Sequence, residues 1–111
     1  MVYISIGLFA VAAIIGVIIL KNWLTSAKTS RAVIYSHGLF AAAALVLLLV
    51  YVLRNPSTTL QISLTLFIAA ASGGFFMFFR ELKGKLSPMW LAIVHGLLAV
   101  AGFGVLLVTV I

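Results

Sequence analysis

The sequence predicts an all-α integral membrane protein, a four-transmembrane-helix bundle made from a tandem two-helix repeat. Three observations lead there. Of the 111 residues, 66% are hydrophobic and 7% are charged, so a water-soluble domain of this size would expose more surface than its polar side chains could cover. Four stretches carry no Asp, Glu, Lys or Arg: 1–20, 32–53, 55–79 and 86–111. Each reaches the roughly 20 residues that cross a ~30 Å hydrocarbon core as a helix. Slid by 58 residues, the chain aligns 2–53 on 60–111 without a gap, and 17 of the 52 pairs are identical.

In hydrocarbon every backbone amide and carbonyl must be paired within the protein, which leaves helices or closed barrels. Alternating apolar and polar runs are absent, and the Ala- and Leu-rich runs favour helix. Helix 1 is expected at about 2–21, helix 2 at about 31–53, helix 3 at about 59–80 and helix 4 at about 88–110. The first run is read as a membrane helix and not as a secretory signal. It lacks a basic stretch before its apolar core, and no small-residue cleavage motif precedes Lys21. Asn55-Pro56-Ser57 predicts a tight turn. Ser87-Pro88 predicts a helix start, with Ser as N-cap and Pro in the first helical position. The whole of 1–111 is expected to be a single membrane domain, with repeat 1 at about 2–53 and repeat 2 at about 60–111.

The repeat is the most informative pattern. Its identical pairs include Phe9/Phe67, Ala12/Ala70, Ala13/Ala71, Gly16/Gly74 and Leu24/Leu82, and one of its two three-residue blocks sets His37-Gly38-Leu39 on His95-Gly96-Leu97. Leucine richness does not explain paired His and Gly. Each unit holds two helices, so both enter the membrane in the same sense, and the expected symmetry is a pseudo-two-fold along the membrane normal.

The net charge of +6 is not a nucleic-acid footprint, because of where the charges stand. Lys21, Lys28 and Arg31 lie at the first loop, Arg80, Lys83 and Lys85 at the third, and Arg54 alone at the second. This bias places both termini outside and the two basic loops in the cytoplasm. Such a rim also suits anionic lipid headgroups. Trp23, Trp90, Tyr3, Tyr35 and Tyr51 are expected as interfacial anchors, and Glu81 as a solvated member of the third loop. There are no cysteines, so disulfides, thiolate metal sites, covalent haem attachment and iron–sulfur clusters are excluded.

Histidine within a membrane span is uncommon and points to function. His37 lies six residues after Arg31 and His95 seven after Pro88, on the order of 10 Å from the cytoplasmic end of their helices at 1.5 Å per residue. Two imidazoles at equal depth are what a low-spin haem iron takes as axial ligands. Gly16 and Gly74 are expected at the same level, giving backbone clearance to a flat macrocycle, with Gly38 and Gly96 doing the same beside the ligands. The small-aromatic stripes Phe9, Ala12, Ala13, Gly16 and Phe67, Ala70, Ala71, Gly74 would line it, with Phe75, Phe76, Phe78 and Phe79 as further packing. Arg31, Lys28, Arg80 and Lys83 would pair with the propionates. The second ring nitrogen is expected to donate to a carbonyl one turn back, that of Val33 for His37 and of Leu91 for His95. The competing reading is packing, since small residues let membrane helices approach closely.

The paired His37 and His95 on helices 2 and 4 resemble the arrangement in small four-helix membrane b-type cytochromes. The resemblance implies one bis-histidine haem b near the cytoplasmic side, serving electron transfer or haem and redox sensing with a redox partner. His95-Gly96-Leu97-Leu98-Ala99 also resembles small uncharacterised bacterial four-span membrane proteins, which implies a bacterial inner membrane. Length and span number are similar to the small multidrug resistance transporters. That family depends on a carboxylate within helix 1, and no span here carries Asp or Glu. Other classes compatible with the sequence are a non-catalytic subunit or assembly factor of a membrane complex, a homo-oligomer, and a quinone-binding module. Hydrolytic chemistry has no acid–base–nucleophile set to support it, so an electron carrier or binding protein is expected rather than an enzyme.

Overall fold

The structure, a computed structural model, describes residues 1–25, 27–85 and 87–111. It contains four α-helices in chain order, α1 (Val2–Leu24), α2 (Arg31–Arg54), α3 (Thr58–Leu82) and α4 (Met89–Val110). All four are long and apolar enough to cross a membrane, and the chain is a multi-pass membrane protein. Two compact units divide it, Met1–Arg54 and Asn55–Ile111. Each is a hairpin of two packed helices, α1 with α2 and α3 with α4.

The helix ends follow local chemistry. Charge-free windows mark the depth of hydrocarbon, but a helix pays nothing to continue into the headgroup layer. Accordingly α1 runs three residues past Lys21, to Leu24, and α3 two past Arg80, to Leu82. In the first loop Asn22 Nδ2 donates to Thr29 Oγ1 at 3.3 Å, and the Val33 amide donates to Ser30 Oγ at 3.3 Å to cap α2. Ser57, extended at φ −152° and ψ 152°, caps α3 by accepting from the Leu60 amide at 3.1 Å.

One end departs from the sequence reading, and another closes on a glycine that the sequence reading did not single out. At the start of α4, Pro88 itself is the N-cap, extended at ψ 140° with no side-chain cap bond. Ser87 therefore stands outside the helix, and Met89 is its first residue. At the end of α3, Gly84 takes φ +72°. Its amide donates to the Glu81 carbonyl at 3.0 Å, and the Lys85 amide to the Arg80 carbonyl at 2.9 Å. This is a Schellman closure, which requires the left-handed conformation that glycine adopts without penalty.

In the first unit the buried residues of α1 are Val2, Ser5, Phe9 and Ala12, and those of α2 are Ala44, Leu48 and Val52. In the second they are Leu60, Ser63, Phe67 and Ala70 on α3 and Gly102 and Leu106 on α4. Spacings of three and four keep each set on one helical face. Position 58 residues on, the same pattern recurs. The expected stripe shifts slightly: Ala13 is exposed, and Val2 and Ser5 take the face toward the N-terminus of α1. Large apolar side chains such as Leu53 and Val108 are 71% and 81% exposed on their hairpins. Lipid, not water, is the solvent that such a surface requires.

Candidate functional site: two histidine–glycine contacts

Both histidines are half-buried and sit in the first third of the second helix of their hairpin. His37 Nδ1 lies 2.8 Å from the carbonyl oxygen of Ala12, on the facing helix α1. His95 Nδ1 lies 2.6 Å from the carbonyl oxygen of Ala70, on α3. A carbonyl oxygen can only accept, so each Nδ1 carries a proton and donates it. In the neutral ring the lone pair then sits on Nε2.

This overturns the expected partner. The acceptor is not the carbonyl one turn back, Val33 or Leu91, but one across the hairpin. Carbonyls inside a helix already accept from the amide four residues on, yet each has a second lone pair. An imidazole reaching sideways into the inter-helix groove meets that lone pair of the neighbour.

The glycines make the reach possible. A Cβ placed on Gly16 would stand 3.0 Å from His37 Cε1 and 3.4 Å from Nδ1, with Nε2 farther at 3.8 Å. On Gly74 it would stand 3.0, 3.5 and 3.8 Å from the same atoms of His95. The Nδ1–Cε1 edge of each ring is therefore turned onto the facing helix, and the bare Cα of glycine receives it. The clearance expected for a macrocycle is taken up by the imidazole itself. Gly38 and Gly96 behave differently, since a Cβ on either would meet nothing within 4 Å.

A second rung joins each hairpin. Ser5 Oγ donates to the Ala44 carbonyl at 2.8 Å, and Ser63 Oγ to the Gly102 carbonyl at 2.7 Å. Both serines are fully buried. The serine lies seven residues before the accepting alanine of its own helix, Ser5 before Ala12 and Ser63 before Ala70. The histidine lies seven residues before the accepting residue of the second helix, His37 before Ala44 and His95 before Gly102. The two rungs are thus two helical turns apart, in matching antiparallel register. Neither serine is among the site residues expected from the sequence. The signal that picks out the rung is that Ser5 and Ser63 are themselves an identical pair at the 58-residue offset.

The two arginines expected at the site lie at helix ends. Arg31 is exposed as the first residue of α2. Arg80 lies in the last turn of α3 with its guanidinium carbon 5.8 Å from the centroid of the Phe76 ring. Phe75, Phe76 and Phe79, expected as packing around a cofactor, are 60%, 53% and 56% exposed. Among the described residues, no group of three or more His, Cys, Asp or Glu stands together. The chemistry available at the histidine level is therefore one imidazole per hairpin, fixed in tautomer and edge orientation. No protein-family model, no curated protein and no solved structure matches the chain.

Proposed function

We propose that the protein is a membrane b-type haem protein, with His37 and His95 as the two axial ligands of one haem near the cytoplasmic side. The observation that carries this reading is the Nδ1–carbonyl hydrogen bond, present on both histidines at 2.8 and 2.6 Å. A backbone acceptor on Nδ1 holds the ring and directs the basic lone pair to Nε2, as ligand imidazoles require. Bound haem would supply one-electron chemistry, for electron transfer or redox sensing. His37 and His95 would hold it from Nε2, and Arg31, exposed at the same end of α2 as His37, would pair with a propionate. In this reading both termini lie outside and the basic loops in the cytoplasm.

The test is the visible spectrum of the detergent-purified protein before and after dithionite, following expression with added haem. A Soret band with sharp α and β bands on reduction is the expected result. A colourless protein would sink the haem assignment.

A second reading is favoured by the glycine geometry. Because Gly16 and Gly74 receive the imidazoles, the histidines serve as locks that set the register of each hairpin. A small subunit or assembly factor of a membrane complex would need nothing more.

A further inference from the structure

The end of α3 builds a groove that neither histidine uses. It is lined by Phe76, Phe79, Arg80, Lys83 and Lys85 and has a volume of about 340 Å³. Phe76, Arg80 and Lys83 stand four and three residues apart, and Phe79 lies between them, so all four share one face of the helix. The Schellman closure at Gly84 then turns the chain back, with the Lys85 amide on the Arg80 carbonyl. Three cations thereby meet at one end of the groove.

Along the helix axis the two chemistries are ordered. The rings lie about 6 Å deeper than the cations four residues on, by helical rise. Both rings are more than half exposed. A soluble anion would pair with the cations and leave the exposed parts of the rings uncovered. A molecule with a phosphate at one end and a hydrocarbon chain at the other satisfies both.

We propose that this groove binds an anionic phospholipid, its phosphate held by Arg80, Lys83 and Lys85 and an acyl chain laid on Phe76 and Phe79. Charge complementarity selects the headgroup, since guanidinium and ammonium groups are the usual phosphate partners. The exposed phenylalanines place the site in the outer layer of the hydrocarbon and select a lipid over a free anion. The proposal does not rest on the haem reading.

The experiment uses the full chain in nanodiscs of phosphatidylcholine with a minor fraction of spin-labelled phosphatidylglycerol. Spin-labelled phosphatidylcholine is the reference lipid. Two variants remove equal charge, Lys83→Gln with Lys85→Gln at the groove, and Lys21→Gln with Lys28→Gln at the first loop. The expected result is an immobilised phosphatidylglycerol component in the native protein, several-fold above that of phosphatidylcholine. Two lysines at about fivefold each outweigh a several-fold preference, so the groove variant should fall to the phosphatidylcholine level, and the first-loop variant should leave the component in place. Added inorganic phosphate should not displace it. Equal immobilisation of the two lipids, equal loss in both variants, or displacement by inorganic phosphate would each overturn the proposal.

Discussion

Gly16 and His37 meet where a single methyl group would stand 3.0 Å from the imidazole Cε1, and Gly74 and His95 repeat the meeting at the same distance. In each case the ring's Nδ1 then reaches a carbonyl on the turn before the glycine, Ala12 or Ala70. Small residue and hydrogen bond are therefore one device. The glycine lets the helices close, and the closure brings the acceptor within reach.

The first prediction concerns that device. Gly16→Ala or Gly74→Ala should push the ring aside and lengthen the Nδ1–carbonyl bond, destabilising the hairpin by about 1–2 kcal/mol. Gly38→Ala and Gly96→Ala, with open space around the new methyl, should stay within about 0.5 kcal/mol of the parent. Reversible unfolding in mixed micelles measures both, and equal losses in the two pairs would count against the contact.

Ligation and locking separate by substitution at the histidines. His37→Asn keeps an N–H donor near the position of Nδ1 but offers iron no imidazole. It should preserve the Ala12 contact and the unfolding midpoint while abolishing the haem bands, and His95→Asn should do likewise against Ala70. His37→Ala should lose both. Haem retained in both single Asn variants would remove these residues as ligands.

The serine rungs should contribute modestly, because hydrogen bonds between membrane helices average about 0.6 kcal/mol. Ser5→Ala and Ser63→Ala are each expected to cost about that much. Gly102→Ala should cost more, near 1 kcal/mol, since its Cβ would meet Leu66 Cβ and the Phe67 ring at 3.3 Å. The corresponding position of the first hairpin already holds Ala44, which is fully buried. Unfolding of the three variants tests whether the two hairpins differ in this way.

Orientation is accessible because the chain has no cysteine. Single cysteines at Asn55, Lys28 and Lys83 can be labelled in intact cells with a membrane-impermeant maleimide. Asn55→Cys should label from outside, and Lys28→Cys and Lys83→Cys only after lysis. The reverse pattern would invert the topology.

The four spans were legible in the sequence because hydrocarbon imposes its demand locally: some 20 residues without charge, with backbone pairing closed inside each helix. Composition and the charge-free windows suffice for that, and the break between α2 and α3 at Asn55-Pro56-Ser57 follows from its own residues. The recurrence of His37, Gly16 and Ser5 at His95, Gly74 and Ser63 was likewise written in the chain. What each residue touches was not. Whether a histidine bonds to the carbonyl one turn back or across the hairpin depends on how closely two helices pack and at what rotation. The spacing within a single helix does not contain that information. The same holds for Phe76 and Phe79: the sequence suggested packing around a cofactor, and the structure leaves them exposed beside Arg80. Sequence alone determined the solvent, the spans and the pairing of positions. Tertiary structure decided that glycine serves the imidazole and that Ala12 and Ala70 accept its proton, because each of these depends on two helices meeting.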